Sequence, residues 1–303
     1  MSDRPVGVVG AGRVGTALGL AFVRAGFTLV GIAARSDAAR DRARRVLPET
    51  PVLDPASVAR NSGLLLLTVS DDAIEPVCDE LAAGDCLRAG QYVMHTSGAC
   101  GLGVLRGATA AGAVPLAVHP AMTFPGLDSD ADHLAGLAYA VTAPPAGRAV
   151  AEQVVRDLGG VPVWIAEADR TLYHAALVLG ANNLITLTAA AMQALGAARV
   201  ADPGFVLGPL VRASLENALR HGDQALTGPV RRADTGTIAA HLAALRDRAP
   251  DLVTGYLEFA LITADRARKA ALNTAEQLDR VVDLLEAELH RSEVAREPSG
   301  GTE

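Results

Sequence analysis

Residues 6–15 of the chain read Val-Gly-Val-Val-Gly-Ala-Gly-Arg-Val-Gly. The first four form an apolar run typical of a buried strand, and the remainder fits the spacing GxGxxG. A segment with helical apolar spacing follows, so the motif lies where a strand turns into a helix. In that context it predicts a dinucleotide-binding turn, with a ligand-free structural turn as the alternative. The residues predicted to contact the cofactor here are Gly10, Gly12, Arg13, Val14 and Gly15.

Each glycine of this motif has a separate expected role. Gly10 permits the tight turn, Gly12 lets a pyrophosphate approach the backbone, and Gly15 lets the helix pack closely on the strand. The free N–H groups and the positive dipole end of the helix then favour the phosphates.

The rest of the chain divides into two patterns. Short apolar runs alternate with helical segments up to residue 166, and the pattern is helical afterwards. The predicted strands are 6–9, 28–33, 64–69, 92–95, 114–118, 138–142 and 161–165. The predicted later helices are 169–195, 203–221, 235–248, 251–269 and 274–291. We therefore predict an α/β fold in which a doubly wound parallel sheet precedes an all-α C-terminal domain. The expected boundaries are 1–166 for the Rossmann domain, 167–291 for the helical substrate and dimerisation domain, and 292–303 for a disordered tail.

Composition excludes several classes of protein. Half of the 303 residues are hydrophobic, and 34 acidic against 27 basic residues give a formal charge of −7. An acidic chain without a basic run is a poor binder of nucleic acid or anionic membranes. Cys78, Cys86 and Cys100 lack the spacing of a zinc site or a disulfide framework. We predict a cytoplasmic protein without a bound metal.

Residues 172–195 form an apolar stretch long enough to suggest a membrane span. This stretch contains His174, Asn182, Asn183 and Gln193, which are costly in lipid. We therefore predict a helix buried between domains or subunits and no membrane insertion.

The end of the second strand predicts the type of nucleotide. NAD-specific sites usually place an acidic residue there, but this chain has Ala33-Ala34-Arg35-Ser36 and no acid before Asp37. The guanidinium of Arg35 and the hydroxyl of Ser36 suit a 2′-phosphate, so NADP(H) is the predicted cofactor. The alternative is a solvated Arg35. Ala34, Arg35 and Ser36 are the predicted contacts.

Further polar residues follow other strands at the predicted carboxyl edge of the sheet. The cofactor contacts predicted there are Val69, Ser70 and Thr96. Asp71 and Asp72 are interpreted as helix N-cap residues. Ser97 is expected to hydrogen-bond the substrate or the nicotinamide, and Gly98 to permit close approach; an ordinary strand-to-loop turn is the alternative. His119 is expected to line the same cleft.

Several segments together resemble one family. They are residues 10–15, Val69-Ser70-Asp71-Asp72, His95-Thr96-Ser97-Gly98, the run 119–124, Leu172-Tyr173-His174-Ala175-Ala176 with Asn182, and Leu226-Thr227-Gly228-Pro229 with Arg232 and Asp234. The chain resembles, over nearly its whole length, the Rossmann-like oxidoreductases that carry a C-terminal domain of unknown function, number 2520. It is more distantly similar to pyrroline-5-carboxylate reductases, ketopantoate reductases and the 6-phosphogluconate dehydrogenase C-terminal superfamily. This kinship implies a helical C-terminal domain that forms a homodimer and completes the active site.

The chain departs from the better-known ketopantoate and β-hydroxyacid dehydrogenases at the catalytic lysine. Those enzymes use a Lys-x-x-x-Asn pair on the long interdomain helix, whereas Val178 precedes Asn182 by four residues and Lys269 is the only lysine. His174 is therefore the predicted proton donor, because imidazole titrates near neutrality. The alternative is a satisfied interior histidine.

Two polar residues of the helical part are assigned to the substrate. Asn182 is predicted to orient a carbonyl or carboxylate, with a packing role as the alternative. Arg232 is predicted to clamp a carboxylate from its own subunit or from its partner, or else to form a structural ion pair with Asp234.

The sequence thus predicts NADPH-dependent reduction of a small oxo or imino acid, with 2-dehydropantoate and pyrroline-5-carboxylate as candidates. Hydride transfer is expected in the cleft between the domains. His174, Asn182 and Ser97 form the predicted catalytic set. The alternative is a non-catalytic, dimeric NADPH-binding sensor or regulatory protein.

Overall fold

A computed structural model describes residues 4–294 of the chain. One eight-stranded sheet has the strand order β3-β2-β1-β4-β5-β6-β7-β8. The strands are β1 (Val6–Val9), β2 (Leu29–Ala33), β3 (Val52–Leu53), β4 (Leu64–Leu67), β5 (Tyr92–His95), β6 (Val114–Pro120), β7 (Ala138–Thr142) and β8 (Val161–Trp164). All seven predicted strands are present. The prediction missed the two-residue strand β3, which is too short for its apolar pattern to stand out.

The helices alternate with the strands in the first part of the chain and follow one another afterwards. In the first part they are α1 (Arg13–Arg24), α2 (Asp37–Val46), α3 (Pro55–Asn61), α4 (Asp71–Ala83), α5 (Arg106–Ala110), α6 (Arg148–Asp157) and α7 (Arg170–Leu177). The later helices are α8 (Asn183–Ala197), α9 (Pro203–His221), α10 (Gly228–Arg231), α11 (Thr235–Arg248), α12 (Val253–Lys269) and α13 (Ala275–Val294). A π-helical turn, Val178–Asn182, joins α7 to α8, so the predicted long helix contains one irregular turn.

Helices cover the sheet on both faces, as predicted for a doubly wound fold. Along β4, Leu64 and Leu66 pack into one buried cluster with side chains of α1 and α6. Leu65 and Leu67 point the opposite way, into a second cluster with side chains of α3, α4 and α5. Such two-sided burial explains why the strands are unbroken apolar runs.

One pair of strands departs from the predicted parallel arrangement. Neighbouring strands are parallel except β6 and β7, whose pairing joins Ala117 to Thr142 and Pro120 to Tyr139 in antiparallel register. The connection between these two strands contains a short 3₁₀ segment, Asp128–His133, in place of a crossover helix. A parallel pair requires a crossover connection, so β7 returns in the opposite direction.

The chain divides into two compact units, Met1–Gly180 and Ala181–Glu303. The second unit has its own core, in which side chains of α11, α12 and α13 pack together, with Leu242, Leu257 and Leu285 fully buried. The predicted boundaries at 166 and 291 stay a prediction. Helix α13 continues to Val294, and the rest of the predicted tail lies outside the described residues.

Candidate functional site

The predicted dinucleotide turn lies at the carboxyl ends of β1, β2 and β4 and lines a groove of about 940 Å³. Seven predicted cofactor residues line this groove: Gly10, Gly12, Ala34, Arg35, Ser36, Val69 and Ser70. Arg13, Val14, Gly15 and Thr96, also predicted, are not among its lining residues. Val77, Glu80 and Leu81 of α4 complete the wall, and no sequence motif marks them as cofactor contacts.

The three glycines of the turn have different surroundings. Gly10 has a φ of +111°, and its N–H donates to the carbonyl of Ala33 at 3.0 Å. A Cβ on Gly15 would overlap the carbonyl oxygen of Gly10 and the hydroxyl of Thr68. That hydroxyl donates to the same carbonyl at 2.7 Å. A Cβ on Gly12 would meet no atom within 4 Å, so Gly12 leaves open space in front of the helix start.

Of the two arginines at positions 35 and 40 after β2, Arg35 is the one whose charge is available to a ligand. Arg35 is exposed, and its side chain has no hydrogen-bond or ion-pair partner within the part of the chain that the structure describes. Asp37, the acid nearest to this strand end, is instead paired with Arg40 at 2.7 Å. Arg40 also donates to the carbonyls of Ala34 and Arg35, which fixes the loop. Ser36 is the N-cap of α2 and accepts from the N–H of Ala39, so its hydroxyl hydrogen is still available.

His95 and Ser97, at the end of β5, are held by the chain itself. Nδ1 of His95 accepts from the N–H of Ser97 at 3.2 Å, so Nε2 carries the hydrogen and donates to the carbonyl of Gly101 at 2.9 Å. Burial lowers the pKa of His95 to about 4. The Ser97 hydroxyl accepts from the N–H groups of Ala99 and Cys100. These bonds favour the strand-to-loop turn that the sequence left as an alternative for Ser97.

The interpretation of Asp71 as a helix cap is wrong. Ser70 occupies the N-cap position of α4, and Asp71 and Asp72 lie in the first turn of that helix. The carboxylate of Asp71 accepts from the hydroxyl of Ser97 at 2.7 Å. The tertiary fold brings these two residues together across 26 positions of sequence, which local pattern does not reveal.

Arg170, which no sequence motif marks, anchors the start of α7. Its side chain is fully buried and donates to the carbonyl of Ser97 at 2.7 Å and to the hydroxyl of Thr142 at 3.0 Å. Its Nε has no hydrogen-bond partner within residues 4–294. An arginine in the first turn of a helix normally predicts a solvated side chain, so no local signal identified it.

Three rings meet beside Gly98. His119, near the end of β6, lies with its Nδ1 2.9 Å from the hydroxyl of Tyr173 on α7. The ring of His174 is perpendicular to that of His119, with 6.5 Å between ring centroids. A Cβ on Gly98 would lie 2.7 Å from Cδ2 of His174 and 3.1 Å from Nε2 of His119. The close approach predicted at Gly98 is therefore made by two histidine rings of the chain.

Electrostatics distinguish His119 from an ordinary surface histidine. Burial, reinforced by the positive charge of Arg170, lowers the pKa of His119 to about 4. Burial raises the pKa of Tyr173, and the charge of Arg170 opposes that rise. Both side chains are therefore neutral at physiological pH. Within the described residues, no three His, Cys, Asp or Glu side chains are placed to hold a metal ion.

The remaining predicted site residues belong to the second compact unit. Asn182 is exposed at the N-cap position of α8 and makes no side-chain capping bond. Arg232 lies 4.0 Å from Asp234, whose carboxylate caps α11 by accepting from Thr237. The ion pair is at the limit of contact, and Arg232 is mostly exposed. The predicted substrate roles of Asn182 and Arg232 stay predictions.

Two family profiles match the chain. One, for a Rossmann-like domain, matches residues 2–120, and the other, for a domain of unknown function named DUF2520, matches residues 137–263. The predicted resemblance to this domain combination is confirmed. A search of curated proteins finds no match.

Solved structures with the same fold span nearly the whole chain. A proposed NADP oxidoreductase from Bacteroides fragilis has a TM-score of 0.72 at 23% identity, over 86% of this chain and 98% of its own. An imine reductase from Myxococcus stipitatus, in complex with NADP⁺, has a TM-score of 0.65 at 18% identity, over 91% and 99%. A pyrroline-5-carboxylate reductase from Coxiella burnetii has a TM-score of 0.55 at 16% identity, over 97% and 99%. At identities this low, the likeness establishes the fold: a Rossmann-like domain followed by a helical part.

Proposed function

We propose that this chain, which joins a Rossmann-like domain to a DUF2520 domain, is an NADP(H)-dependent oxidoreductase that reduces a small oxo or imino acid. The observation that carries the proposal is the groove at the carboxyl ends of β1, β2 and β4. Its lining includes Gly12, in front of which the space is open, and Arg35, whose side chain has no partner among the described residues. The first suits a diphosphate and the second a 2′-phosphate.

The residues of the groove fit NADP(H) better than NAD(H). The backbone N–H groups at the start of α1 would hold the diphosphate, and Arg35 with Ser36 would hold the 2′-phosphate. Asp37 is the acid that could accept a hydrogen bond from the 2′-hydroxyl of the NAD ribose. It is already paired with Arg40, which disfavours NAD(H). When bound, the reduced cofactor supplies a hydride. The chain must supply the proton and hold the substrate.

His174 is the proposed proton donor. It is half-buried on α7 beside Gly98 and His119, and it makes no hydrogen bond to another described residue. An imidazole with no hydrogen bond to the described residues can give its proton to a substrate. His119, at the same place, would bind the substrate. Both candidate substrates, 2-dehydropantoate and pyrroline-5-carboxylate, are acids, and the imine reductase and pyrroline-5-carboxylate reductase folds noted above favour an imino acid.

The test is oxidation of NADPH with a panel of oxo and imino acids, including both candidates. We expect turnover with at least one member and a preference for NADPH over NADH. His174→Ala should abolish most of that turnover while leaving NADPH binding unchanged. His133→Ala is the control, because His133 is exposed on the 3₁₀ segment after β6. Full turnover by His174→Ala would remove His174 from the mechanism, and no turnover on the whole panel would contradict the enzyme assignment.

One observation favours a second candidate, a dimeric NADPH-binding sensor without turnover. The hydroxyl of Ser97 and both ring nitrogens of His95 are engaged within the chain, which leaves few free groups for catalysis. Such a protein would bind NADPH tightly and show no substrate-dependent oxidation in the same panel.

The proposed assembly is a homodimer formed through α8 and α9. No residue of these two helices is buried in the single chain, although Ile185, Phe205 and Leu210 are apolar and more than half exposed. The helical stretch Glu167–Ala197 also has the length and composition of a membrane span. We favour a second copy of the chain over a membrane as the partner of this apolar surface, because Asn182 and Gln193 lie within that stretch and polar side chains are costly in lipid.

Light scattering in detergent-free buffer should give twice the mass of 31.1 kDa. Phe205→Glu should reduce it to the mass of a single chain. Recovery of the protein in the membrane fraction would contradict both the dimer and the proposed cytoplasmic location. That location is supported by the three free cysteines.

A further inference from the structure

Two histidines lie at or near the ends of neighbouring strands of the sheet, and their hydrogen bonds differ. His95 on β5 uses both ring nitrogens for contacts with the backbone of its own loop. His119 on β6 uses only Nδ1, which lies 2.9 Å from the hydroxyl of Tyr173. Its Nε2 has no hydrogen-bond partner within the described part of the chain. His95 is therefore a structural residue, whereas His119 has one nitrogen left for a ligand.

The bond to Tyr173 selects one tautomer of His119. Burial raises the pKa of Tyr173, so the phenol keeps its proton. Within residues 4–294 that hydroxyl has no other acceptor than Nδ1 of His119. If Nδ1 carried the hydrogen, the phenol O–H would be left without a protein acceptor. The favoured arrangement has Tyr173 donating to Nδ1, which leaves the ring hydrogen of His119 on Nε2.

The free nitrogen of His119 lies close to Gly98, and the ring of His174 lies beside it. Nε2 would lie 3.1 Å from a Cβ on Gly98, and Cδ2 of His174 would lie 2.7 Å from the same point. The two rings therefore approach Gly98 from two elements, that of His119 from strand β6 and that of His174 from helix α7. A neutral N–H at this place is a fixed donor beside the proposed proton donor.

We propose that Tyr173 is a positioning residue that fixes His119 with its hydrogen on Nε2, and that this N–H donates to an oxygen of the oxo or imino acid. The proposal rests on the proposed function for the identity of the ligand. In this proposal the two histidines have different roles. His119 binds the substrate and stays neutral, and His174 supplies the proton.

The charge state of His119 is consistent with a permanent neutral donor. Its pKa is lowered to about 4 by burial, with the charge of Arg170 acting in the same direction. His174 and His95 also lower it, and Asp71 opposes them. A positively charged imidazole would bind an acid more strongly but would lose that charge near neutral pH, whereas the neutral N–H persists.

The first test measures the tautomer directly in the protein without substrate. Ring ¹⁵N shifts of histidine-labelled protein should show His119 with hydrogen on Nε2, and Tyr173→Phe should convert it to a mixture of tautomers while His95 is unchanged. Tyr256→Phe is the matched control, because Tyr256 bonds Nδ1 of His241 at the same 2.9 Å in the other unit. Hydrogen on Nδ1 of His119 in the unaltered protein would overturn the proposal, whatever the outcome for enzymatic activity.

The second test uses the substrate found in the panel described above. Tyr173→Phe should raise KM about tenfold, equivalent to about 1.4 kcal/mol, with kcat changed much less and NADPH affinity unchanged. His119→Gln should retain more affinity than His119→Leu, because its amide still donates. An unchanged KM in both Tyr173→Phe and His119→Leu would overturn the substrate contact. Absence of any substrate would instead contradict the proposed function and leave the tautomer result to be judged by the spectra.

Discussion

Replacing Gly15 by alanine tests the packing that builds the proposed nucleotide groove. The added Cβ would overlap the Gly10 carbonyl oxygen and the Thr68 hydroxyl, which are hydrogen-bonded to each other at 2.7 Å. Relief requires α1 to move away from the end of β1, because the nearer obstacle is a backbone carbonyl oxygen. Overpacking of this kind costs about 1–3 kcal/mol. At about 2–4 °C per kcal/mol for a domain of this size, the Tm without cofactor should fall by between about 2 and 12 °C.

Gly12→Ala supplies the contrast within the same motif. Its Cβ would meet no atom within 4 Å, so the Tm without cofactor should change little. The methyl group would occupy the space proposed for the diphosphate and displace at least one charge-assisted hydrogen bond. Such a bond contributes about 1.5–3 kcal/mol, so NADPH affinity should fall about 10- to 100-fold.

Thermal melts with and without NADPH separate the two effects. We expect Gly15→Ala to melt earlier in both conditions, and Gly12→Ala to melt normally alone but to show a smaller shift in Tm when NADPH is added. NADPH at 100 times its dissociation constant raises the free energy of unfolding of the unaltered protein by about 2.7 kcal/mol, so the shift in Tm is measurable. A Gly15→Ala protein with normal Tm, or a Gly12→Ala protein with normal NADPH affinity, would refute the assignment of roles.

Three further predictions concern single side chains. Arg35→Asp should weaken NADPH binding far more than NADH binding in parallel titrations, since it removes the unpaired cation; equal losses would argue against a 2′-phosphate contact. Ser97→Ala should lower the free energy of unfolding by about 1–3 kcal/mol, because backbone N–H groups lose their acceptor; normal stability with a raised KM would instead support a ligand contact. Burial holds the pKa of His95 near 4, below the value of 6.5 for a free imidazole, so the unfolded chain binds more protons between these pH values. The contribution of His95 to the free energy of unfolding should be fully present above pH 6.5 and should fall by about 3 kcal/mol as the pH drops towards 4. Urea titrations of His95→Gln should not show this loss.

The elements that the sequence predicted well are those that repeat a strong local pattern. The strands are apolar runs because helices cover both faces of the sheet. The residues of β1 and β4 by themselves therefore indicate that these strands are buried on both sides. The antiparallel return of β7 was missed because it depends on the connection before it and not on the strand. The short elements β3 and α3 contain too few residues for a periodicity.

The candidate site shows the same division. The roles of Gly10 and Gly15 follow from spacing after a strand, and the structure gives each glycine the surroundings that its predicted role requires. Pairing of Asp71 with Ser97, and of Tyr173 with His119, joins residues 26 and 54 positions apart. No local pattern signals either contact.

By itself, the sequence determined the type of fold and the position of the glycine-rich turn between β1 and α1, because both depend on interactions between residues a few positions apart. Only the tertiary structure decided which polar groups remain free. Arg170 is a buried anchor, the Ser97 hydroxyl bonds both its own loop and Asp71 of α4, and Nε2 of His119 has no hydrogen-bond partner among the described residues. Hydrogen bonding between distant segments determines these states, since each donor or acceptor is available to a ligand only where the fold has not already given it a partner.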